Sequence, residues 1–587
     1  MSDNPHPETP DTAAAREAAI QALTAPGGPF ELVADTDRRG QPIRRYATGP
    51  QTLREVLTGT RTFGDRIYLV FEDERISYGT HHQRVAQLAH WLEGQGVGKG
   101  DRVAIGMRNY PEWVIGFFAC QAIGAVAVLL NAWWTGAELV YGLTDSGARV
   151  ALLDDERYAR LEPLLAAVPD VTLLVTRDIE RRFDATAWDD ALAAFSHETE
   201  LPAAEIGADD YATIIYTSGT TGVPKGALHT HRNHVTNITN ALLSGAAAAA
   251  LAAPAASDEE PAASDEEPAA STQPPQPSSL QTFPFFHIGG LSGLYISAIT
   301  GSKLVLMYKW DVNQAFDLIS REKISGWSGV PTVVRELLEH PRATSGELDS
   351  LASIASGGAP VPEDLINRVG SLFQSRVAPG NGYGATETTS AIISNGGADY
   401  LARPGSVGRP TVTVDVRIVD DAGQDLADGE IGELWLRGPN IFAGYWNRPE
   451  ETEASFSDGW FKTGDLAYRS EEGFYYVVDR KKDVIIRGGE NVYCAEVESV
   501  LHHHPDIADV ALIGLPHRAL GEEVAAVIER KPEAELSEAD VQAWVAERLA
   551  RFNVPTRVFF IEEPLPRTAT GKVLKRELKE RYAGAGS

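Results

Sequence analysis

Helical patterns of apolar residues alternate with short apolar runs between residues 50 and 200. The helical patterns cover Arg84–Gln95 and Glu112–Ile123, and the apolar runs are Arg102–Met107, Ala125–Leu130, Val150–Leu153 and Val171–Val175. Such alternation is typical of βαβ units, in which helices cover a mostly parallel sheet. A similar alternation resumes after residue 280, with strands predicted at Lys303–Met307 and Leu351–Ala355 and a helix at Val312–Glu322. The pattern predicts an α/β fold of layered parallel sheets.

One uncharged stretch, from Trp113 to Thr135, is long enough to be read as a transmembrane helix. A buried helix followed by a buried strand, with a break near Gly124, explains the same pattern. We favour the buried interpretation because Arg108 is the only nearby basic residue and Glu112 borders the run. Membrane spans usually carry more positive charge at their flanks. The sequence therefore predicts no transmembrane segment.

The pattern becomes rich in strands after Val412 and changes again after the basic run Arg480–Lys482. A compact α/β pattern then follows, with helices predicted at Ala495–His503 and Ser537–Arg551 and strands at Ile507–Ile513, Glu523–Glu529 and Arg557–Ile561. A chain of 587 residues is too long for one compact core. We therefore predict an N-terminal extension (1–49), a large domain (50–481) that ends in a β-barrel-like part, and a small C-terminal α+β domain (482–587).

Residues 245–280 differ in composition from the rest of the large domain. They are rich in Ala, Pro, Ser and Glu, and the sequence SDEEPAA occurs twice in succession, at 257–263 and 264–270. Such a composition buries little apolar surface, so we predict a disordered, low-complexity insert on the surface. A segment that binds a partner is the alternative.

The charge balance narrows the classes of partner. The chain has 82 Asp and Glu residues against 52 Lys and Arg residues, a net charge of −30. Such a protein repels nucleic acid, so we expect no nucleic-acid partner, and an anionic ligand needs a local positive site. The two cysteines, Cys120 and Cys494, offer neither a disulfide framework nor a cysteine-rich metal site, which favours the cytoplasm.

A glycine-rich segment, Tyr216–Gly226, follows the predicted strand Tyr211–Tyr216. Its eleven positions contain three glycines, four Ser or Thr hydroxyls and one lysine. Small residues let backbone N–H groups converge on a phosphate chain, and hydroxyls and an ammonium add further contacts. The spacing differs from the P-loop pattern, because Pro224 and Gly226 occupy positions that need Gly and Ser or Thr.

Residues 217–226, TSGTTGVPKG, resemble the phosphate loop of the adenylate-forming enzymes, which include acyl-CoA synthetases, firefly luciferase and the adenylation domains of nonribosomal peptide synthetases. The other motifs of that family occur in the same order, and the resemblance extends from about residue 50 to residue 575. It implies that ATP is bound by Thr217, Ser218, Gly219, Thr220, Thr221, Gly222 and Lys225. It also implies a small C-terminal domain that is mobile.

Two further segments of the large domain resemble family motifs. Gly357–Pro360 is similar to a turn that contacts adenine, which implies roles for Gly358, Ala359 and Pro360. Tyr383–Glu387, YGATE, is similar to the motif YGxTE. This resemblance implies that the ring of Tyr383, beside Gly384, stacks on adenine, that Thr386 contacts the α-phosphate, and that Glu387 binds Mg²⁺ together with Thr217. A carboxylate oxygen is a suitable ligand for this cation.

The motifs at the end of the large domain imply contacts to the ribose and to coenzyme A. Asp465, in FKTGD, would accept hydrogen bonds from both ribose hydroxyls, and Arg480 would contact the ribose. Lys482 stands where the family has the residue about which the small domain turns. Gly488 and Gly489 would line the tunnel for pantetheine, since glycine allows close approach of the backbone to a ligand.

Two candidate catalytic residues complete the resemblance. Lys572, in PRTATGK, would bridge the substrate carboxylate and the α-phosphate, and His287, in PFFHIG, would lie near that carboxylate. The resemblance thus implies an acid–thiol ligase that forms acyl-AMP and pyrophosphate from a carboxylic acid and ATP, and then transfers the acyl group to coenzyme A. A swing of the small domain would replace Lys572 by the glycine loop between the two steps.

Several alternatives stay open at this point. We favour a medium- or long-chain fatty acid as the substrate, with an aryl acid as the alternative. A carrier protein could replace coenzyme A, although the short segment between Asp465 and Asp479 favours coenzyme A. A nucleotide-binding scaffold without catalysis would lack Glu387, Asp465 or Lys572, and all three are present. The oligomeric state is open, a homodimer included.

Overall fold

The computed structural model describes residues 10–217, 223–252, 275–568 and 571–583. Their strands form a two-stranded hairpin and four larger sheets. The α-helices are Pro10–Thr24, Leu53–Gly59, Tyr78–Gly94, Pro111–Ile123, Gly136–Ser146, Asp155–Leu161, Trp188–Ala194, His231–Ala252, Ile288–Thr300, Val312–Glu322, Pro331–Glu339, Glu363–Leu372, Gly397–Ala402, Pro449–Ala454, Cys494–His502, Glu538–Ala546 and Lys575–Tyr582. The fold is the layered α/β architecture that the sequence predicts, with a small α+β part at the C-terminal end.

The first sheet has eight strands and is mostly parallel. In spatial order they are Gly444–Tyr445, Lys225–Thr230, Tyr211–Thr217, Val126–Leu129, Arg102–Gly106, Val150–Asp154, Thr172–Thr176 and Thr186–Ala187. Only the pairings of Lys225–Thr230 with its two neighbours are antiparallel. Most strands therefore point their carboxyl ends to one edge, where ligands of open α/β sheets usually bind.

The second sheet has nine strands with a parallel centre. Their order is Arg409–Pro410, Ser390–Gly396, Ala378–Ala385, Ser353–Gly357, Gly326–Gly329, Ser278–Gln281, Lys303–Leu306, Ile67–Phe71 and Glu74–Ser77. Antiparallel pairs occur only at the two margins. The family-like motifs of the large domain follow the carboxyl ends of two central strands, Ser353–Gly357 and Ala378–Ala385.

The other two large sheets are separated by four residues of chain. The third is antiparallel and contains Asp415–Val419, Gly432–Arg437, Trp460–Arg469, Phe456–Ser457 and Tyr475–Arg480. The fourth contains Glu490–Val492, Ile485–Arg487, Gly521–Arg530, Ile507–His517 and Arg557–Ile561. We call the part with the first three sheets the large unit and the part with the fourth sheet the small unit.

The uncharged stretch after Trp113 is a buried helix followed by a buried strand, as the favoured interpretation predicted. The helix Pro111–Ile123 buries almost every side chain and ends at Gly124, whose φ of 73° is left-handed. The strand Val126–Leu129 follows. A helix that is apolar on all sides belongs in a core, and this one packs between the first two sheets. No helix in the described part of the chain is long and apolar enough to cross a membrane.

Two predicted segments have the wrong bounds. The insert was predicted to be disordered from 245 to 280, but residues 245–252 belong to the helix His231–Ala252 and residues 278–281 form a strand. Residues 253–274 lie outside the described residues. The helix predicted at Ser537–Arg551 ends at Ala546, where the apolar periodicity gives way to a polar turn.

The N-terminal extension packs on the large unit. Its hairpin, Leu32–Thr36 with Pro42–Tyr46, contacts the helix His231–Ala252. The Tyr46 hydroxyl donates to Asn240 Oδ1 at 2.6 Å, and both residues are buried. A buried hydrogen bond of this kind holds the hairpin in one orientation on the helix.

A buried ion pair at the first sheet offers a test of the packing. Asp154 Oδ2 lies 2.8 Å from Arg157 Nη1, and the two side chains are 0% and 2% exposed. Asp154→Ala leaves a buried guanidinium without this partner, so we expect urea unfolding to show a loss of about 3–5 kcal/mol. Asp190→Ala, which breaks an exposed pair with Arg181, should cost much less, because water screens the attraction between exposed charges. Equal losses in the two variants would contradict the burial of the ion pair between Asp154 and Arg157.

Candidate active site

The base of the glycine-rich loop is formed by two paired strands. Thr217 ends the strand Tyr211–Thr217 and lies opposite Lys225, which begins the next strand. The Thr217 hydroxyl donates to the Lys225 carbonyl at 3.3 Å. Five of the predicted phosphate-binding residues lie outside the described residues, namely Ser218, Gly219, Thr220, Thr221 and Gly222. The structure thus places the first and last predicted contacts of this loop, Thr217 and Lys225, side by side.

The two motifs of the second sheet lie at adjacent strand ends. Gly358, with Ala359 and Pro360, follows the strand Ser353–Gly357, which is parallel to Ala378–Ala385. Gly358 has a φ of 81°, a conformation that favours glycine. Gly384 is required for another reason, since a Cβ there would lie 2.0 Å from the carbonyl oxygen of Ser390. The chain therefore passes very close to itself just before Thr386 and Glu387.

A buried carboxylate joins the second and third sheets. The Tyr383 hydroxyl donates to Asp465 Oδ2 at 2.6 Å, and Arg480 Nε lies 3.2 Å from Asp465 Oδ1. Asp465 and Arg480 face each other on antiparallel strands. Burial raises the pKa of Tyr383 well above its ordinary value, and Asp465 adds to the effect, so this hydroxyl remains a donor. Each carboxylate oxygen keeps a lone pair that a ligand hydroxyl can use.

Glu387 is held by a tyrosine that the sequence analysis missed. The Tyr445 hydroxyl donates to Glu387 Oε1 at 2.7 Å, and Lys225 Nζ lies 5.4 Å from the centre of the Tyr445 ring. Tyr445 therefore connects the base of the glycine-rich loop to the acidic residue. Its only sequence signal is a short Gly-aromatic run, Gly444–Trp446, which by itself indicates no chemistry.

Glu387 and Thr217 offer the oxygen ligands that a magnesium ion prefers. Within the described residues no three His, Cys, Asp or Glu side chains form a metal cluster. Mg²⁺ commonly takes one or two protein oxygens and completes its shell with phosphate and water. The carboxylate of Glu387 and the hydroxyl of Thr217 supply oxygens of this kind.

Asp465, Arg480 and Glu387 line a crevice between the two units, and Lys572 belongs to the small-unit side of it. Its turn is closed by a hydrogen bond of 2.8 Å from the Thr568 amide to the Lys572 carbonyl. The pKa of Lys572 is lowered to about 8, first by burial and then by Arg480, while Asp465 and Glu387 oppose the decrease. The side chain keeps contact with solvent, but many protein atoms lie around it, and they reduce the hydration of its ammonium. A Cβ at the neighbouring Gly571 would lie 3.5 Å from Val330 of the large unit, so this turn packs on that unit. Lys572 thus lies within electrostatic range of Asp465 and Glu387.

His287 lies within electrostatic range of Lys572. It caps the helix Ile288–Thr300, where its Nδ1 accepts from the Gly289 amide at 3.3 Å. Burial lowers the pKa of His287 to about 4, and the ammonium of Lys572 adds to the decrease. The imidazole is therefore neutral at pH 7 and can contact a carboxylate only as a neutral donor.

The remaining predicted residues divide into two groups. Lys482 lies at the edge of the crevice, where it keeps contact with solvent. Partial loss of hydration lowers its pKa, Asp483 opposes the decrease, and Arg480 adds to it. Gly488 and Gly489 lie on an exposed hairpin of the small unit, and both have left-handed φ values. The nearest atoms to a Cβ at Gly488 come from Leu520 of the same unit, and a Cβ at Gly489 would meet open space. The structure does not bring these glycines to the crevice.

The electrostatics of Lys572 can be measured directly. Arg480→Gln removes a nearby cation and should raise the pKa of Lys572 above 8, whereas Asp465→Asn removes an anion and should lower it. Trace acetylation over a pH series, with mass spectrometry of the peptide that contains Lys572, measures each value. Arg576→Gln, on the exposed face of the last helix, serves as the control and should leave the pKa unchanged. A shift in the same direction in both crevice variants would contradict the arrangement.

Comparisons with known proteins agree with this geometry. The AMP-binding enzyme family matches residues 58–446, and the AMP-binding enzyme C-terminal domain matches residues 496–572. A feruloyl-CoA synthase from Amycolatopsis sp is 35% identical over 508 residues, which is 86% of this chain and 94% of that protein. The long-chain-fatty-acid–CoA ligase FadD13 from Mycobacterium tuberculosis is 33% identical over 516 residues, which is 87% of this chain and 94% of that protein.

A solved structure gives the same result for the fold. The crystal structure of ATP-bound MatB from Rhodopseudomonas palustris superposes with a TM-score of 0.78 at 29% identity, over 90% of this chain and all of that one. The match covers both the large and the small unit. The chain therefore belongs to the AMP-binding enzyme family, and it is an acyl-CoA synthetase of the adenylate-forming superfamily.

Proposed function

We propose that the enzyme activates a carboxylic acid as acyl-AMP in the crevice between the two units, and then transfers the acyl group to coenzyme A. In the first step a carboxylate oxygen attacks the α-phosphorus of ATP, and the bond to pyrophosphate breaks. In the second step the sulfur of coenzyme A attacks the acyl carbon, and AMP leaves with the electron pair of the acyl–oxygen bond. The observation that carries the proposal is the buried carboxylate of Asp465, held between Tyr383 and Arg480, with Lys572 of the small unit within electrostatic range.

The large unit supplies the nucleotide contacts in this proposal. The turn at Gly358–Pro360 and the ring of Tyr383 bind adenine, and Asp465 with Arg480 binds the ribose. The loop that begins at Thr217 and ends at Lys225 binds the phosphates, and Thr386 contacts the α-phosphate. Glu387 and Thr217 would hold Mg²⁺, which would neutralise charge on the leaving pyrophosphate.

Lys572 neutralises charge at the reacting atoms. With a pKa of about 8, its amine is mostly protonated at neutral pH. A flexible ammonium can contact the acid carboxylate and the α-phosphate at once, which brings two anions together. Preorganised contacts of this type stabilise a transition state by about 3–4 kcal/mol each. His287, neutral beside Lys572, orients the acid.

The second step needs a different face of the small unit. Gly488 and Gly489 lie on its exposed hairpin, away from Lys572. A rotation about Lys482, in the short segment between the third and fourth sheets, would withdraw Lys572 and bring this hairpin to the acyl-AMP. The left-handed glycines would leave room for pantetheine beside the backbone.

The acid has an apolar body in this proposal. The helix Ile288–Thr300, capped by His287, buries mostly apolar side chains behind the crevice. A medium- or long-chain fatty acid agrees with the similarity to FadD13, and an aryl acid agrees with the similarity to the feruloyl-CoA synthase. We retain the fatty acid as the first candidate and the aryl acid as the second. Because ATP and coenzyme A are cytoplasmic metabolites, we also propose a cytoplasmic location.

A panel of acids tests the proposal. Pyrophosphate release should be measured with fatty acids of increasing length and with hydroxycinnamic and benzoic acids, each with and without coenzyme A. We expect one class to support release that becomes catalytic only when coenzyme A is present, since acyl-AMP otherwise stays bound. If pyrophosphate release turns over with a carrier protein but not with coenzyme A, the carrier protein is the acyl acceptor. The absence of release with every acid would contradict the proposal.

Lys572→Ala separates the two steps. Acyl-AMP formation should fall about 10²–10³-fold, because one charge-neutralising contact is lost at the α-phosphorus. Transfer to coenzyme A from supplied acyl-AMP should stay within about twofold, because this lysine has left the crevice by then. Arg576→Ala, in an exposed ion pair of the last helix, is the matched control and should change neither rate. Equal losses in both steps would argue against two conformations.

A further inference from the structure

Four buried polar side chains lie beneath the crevice and take no part in the proposed mechanism. They belong to two strands and two helices of the large unit and are 0–3% exposed: Thr213, His229, His234 and Tyr295. Burial of so many polar groups is costly unless each finds a partner. Here they contact one another in a row that ends at the backbone of Thr386.

The hydrogen bonds of this row have one direction. The Thr386 carbonyl can only accept, so His229 Nε2, at 2.7 Å, carries a hydrogen. His229 Nδ1 then accepts from the Thr213 hydroxyl at 3.3 Å. His234 Nε2 donates to the same hydroxyl oxygen at 2.9 Å, and its Nδ1 accepts from the Tyr295 hydroxyl at 3.1 Å. Every donor finds an acceptor.

This assignment requires both imidazoles to be neutral. Burial lowers the pKa of His229 to about 4 and that of His234 well below its ordinary value. Each ring therefore has one donor and one acceptor nitrogen at neutral pH, as the row requires. A satisfied polar network of this kind holds its members in one arrangement, which an apolar core does not do as strictly.

The two ends of the row belong to two elements that the proposed function assigns to the site. Thr386 begins the short 3₁₀ turn Thr386–Thr388, which contains Glu387. Tyr295 lies on the helix Ile288–Thr300, which begins after His287. The row thus connects the turn assigned to the α-phosphate and Mg²⁺ with the helix assigned to the acid.

We propose that His229 is a positioning residue for acyl-AMP formation, which holds the Thr386 turn at a fixed distance from the acid-binding helix through Thr213, His234 and Tyr295. This inference rests on the proposed function, because it takes from it the roles of Thr386 and of the helix. A displacement of reacting groups by about 1 Å can reduce a rate about 10²-fold. Loss of the His229 donor leaves the Thr386 carbonyl with only the Thr389 amide of its own turn, at 3.0 Å, so the turn is no longer tied to the strand Lys225–Thr230 and can move.

The test uses ATP–pyrophosphate exchange by the full-length enzyme with the best acid of the panel. His229→Leu should lower kcat about 10–100-fold and change the KM for the acid less than about twofold. His229→Gln, whose amide can donate near the position of Nε2, should recover kcat to within about threefold of the wild type. His82→Leu is the control, because His82 is also buried in the large unit and its ring nitrogens have no hydrogen-bond partner among the described residues.

The control variant should retain the wild-type kcat. A kcat for His229→Leu within twofold of the wild type would overturn the inference. So would a kcat for His229→Gln no better than that of His229→Leu at the same folded fraction. If the wild type itself exchanges no pyrophosphate with any acid, the proposed function fails instead, and the two failures are thus distinguishable.

Tyr295→Phe provides a second route if His229→Leu does not fold. It removes one oxygen at the far end of the row and should lower kcat three- to tenfold. In the His229→Gln background the same change should have a smaller effect, because two residues that act through one network are not additive. Equal effects of Tyr295→Phe in both backgrounds would show that the row transmits nothing and would overturn the inference.

Discussion

The carboxylate of Asp465 is the point at which three parts of the chain meet. One oxygen accepts from Tyr383 of the second sheet, and the other pairs with Arg480 at the end of the third. The same charge acts on Lys572 of the small unit. Asp465 is 6% exposed, and a buried anion is stable only when it is paired and hydrogen-bonded. Without it, Arg480 and Lys572 would face each other as two cations with little compensation.

Three cations lie close together in the crevice. Arg480, Lys482 and Lys572 are close enough to perturb one another, although the chain carries a net charge of −30. Like charges in a partly desolvated site repel one another, and this repulsion helps to lower the pKa of Lys572. A bound triphosphate would offset this repulsion, because its negative charges attract all three cations. The arrangement thus favours a polyanionic ligand.

The floor beneath the crevice combines two kinds of packing. The helix Pro111–Ile123 fills the space between the first two sheets with apolar and aromatic side chains. Next to it, the hydrogen-bonded row from Tyr295 to His229 fixes one relative position of helix and strand. Apolar packing supplies most of the stabilisation, whereas the directional bonds select a single arrangement.

Much of this protein could be predicted from its sequence. Alternating apolar patterns determine the sheets and the buried helix, since they depend on neighbours a few residues apart. The order of the glycine-rich motifs indicated the family and the residues now found at the crevice. Tyr445 and His229 could not be found in this way, because a tyrosine beside a glycine and a buried histidine have no local pattern of their own. Their roles arise only when strands and turns more than fifty residues apart in sequence lie side by side, which the tertiary structure alone decides.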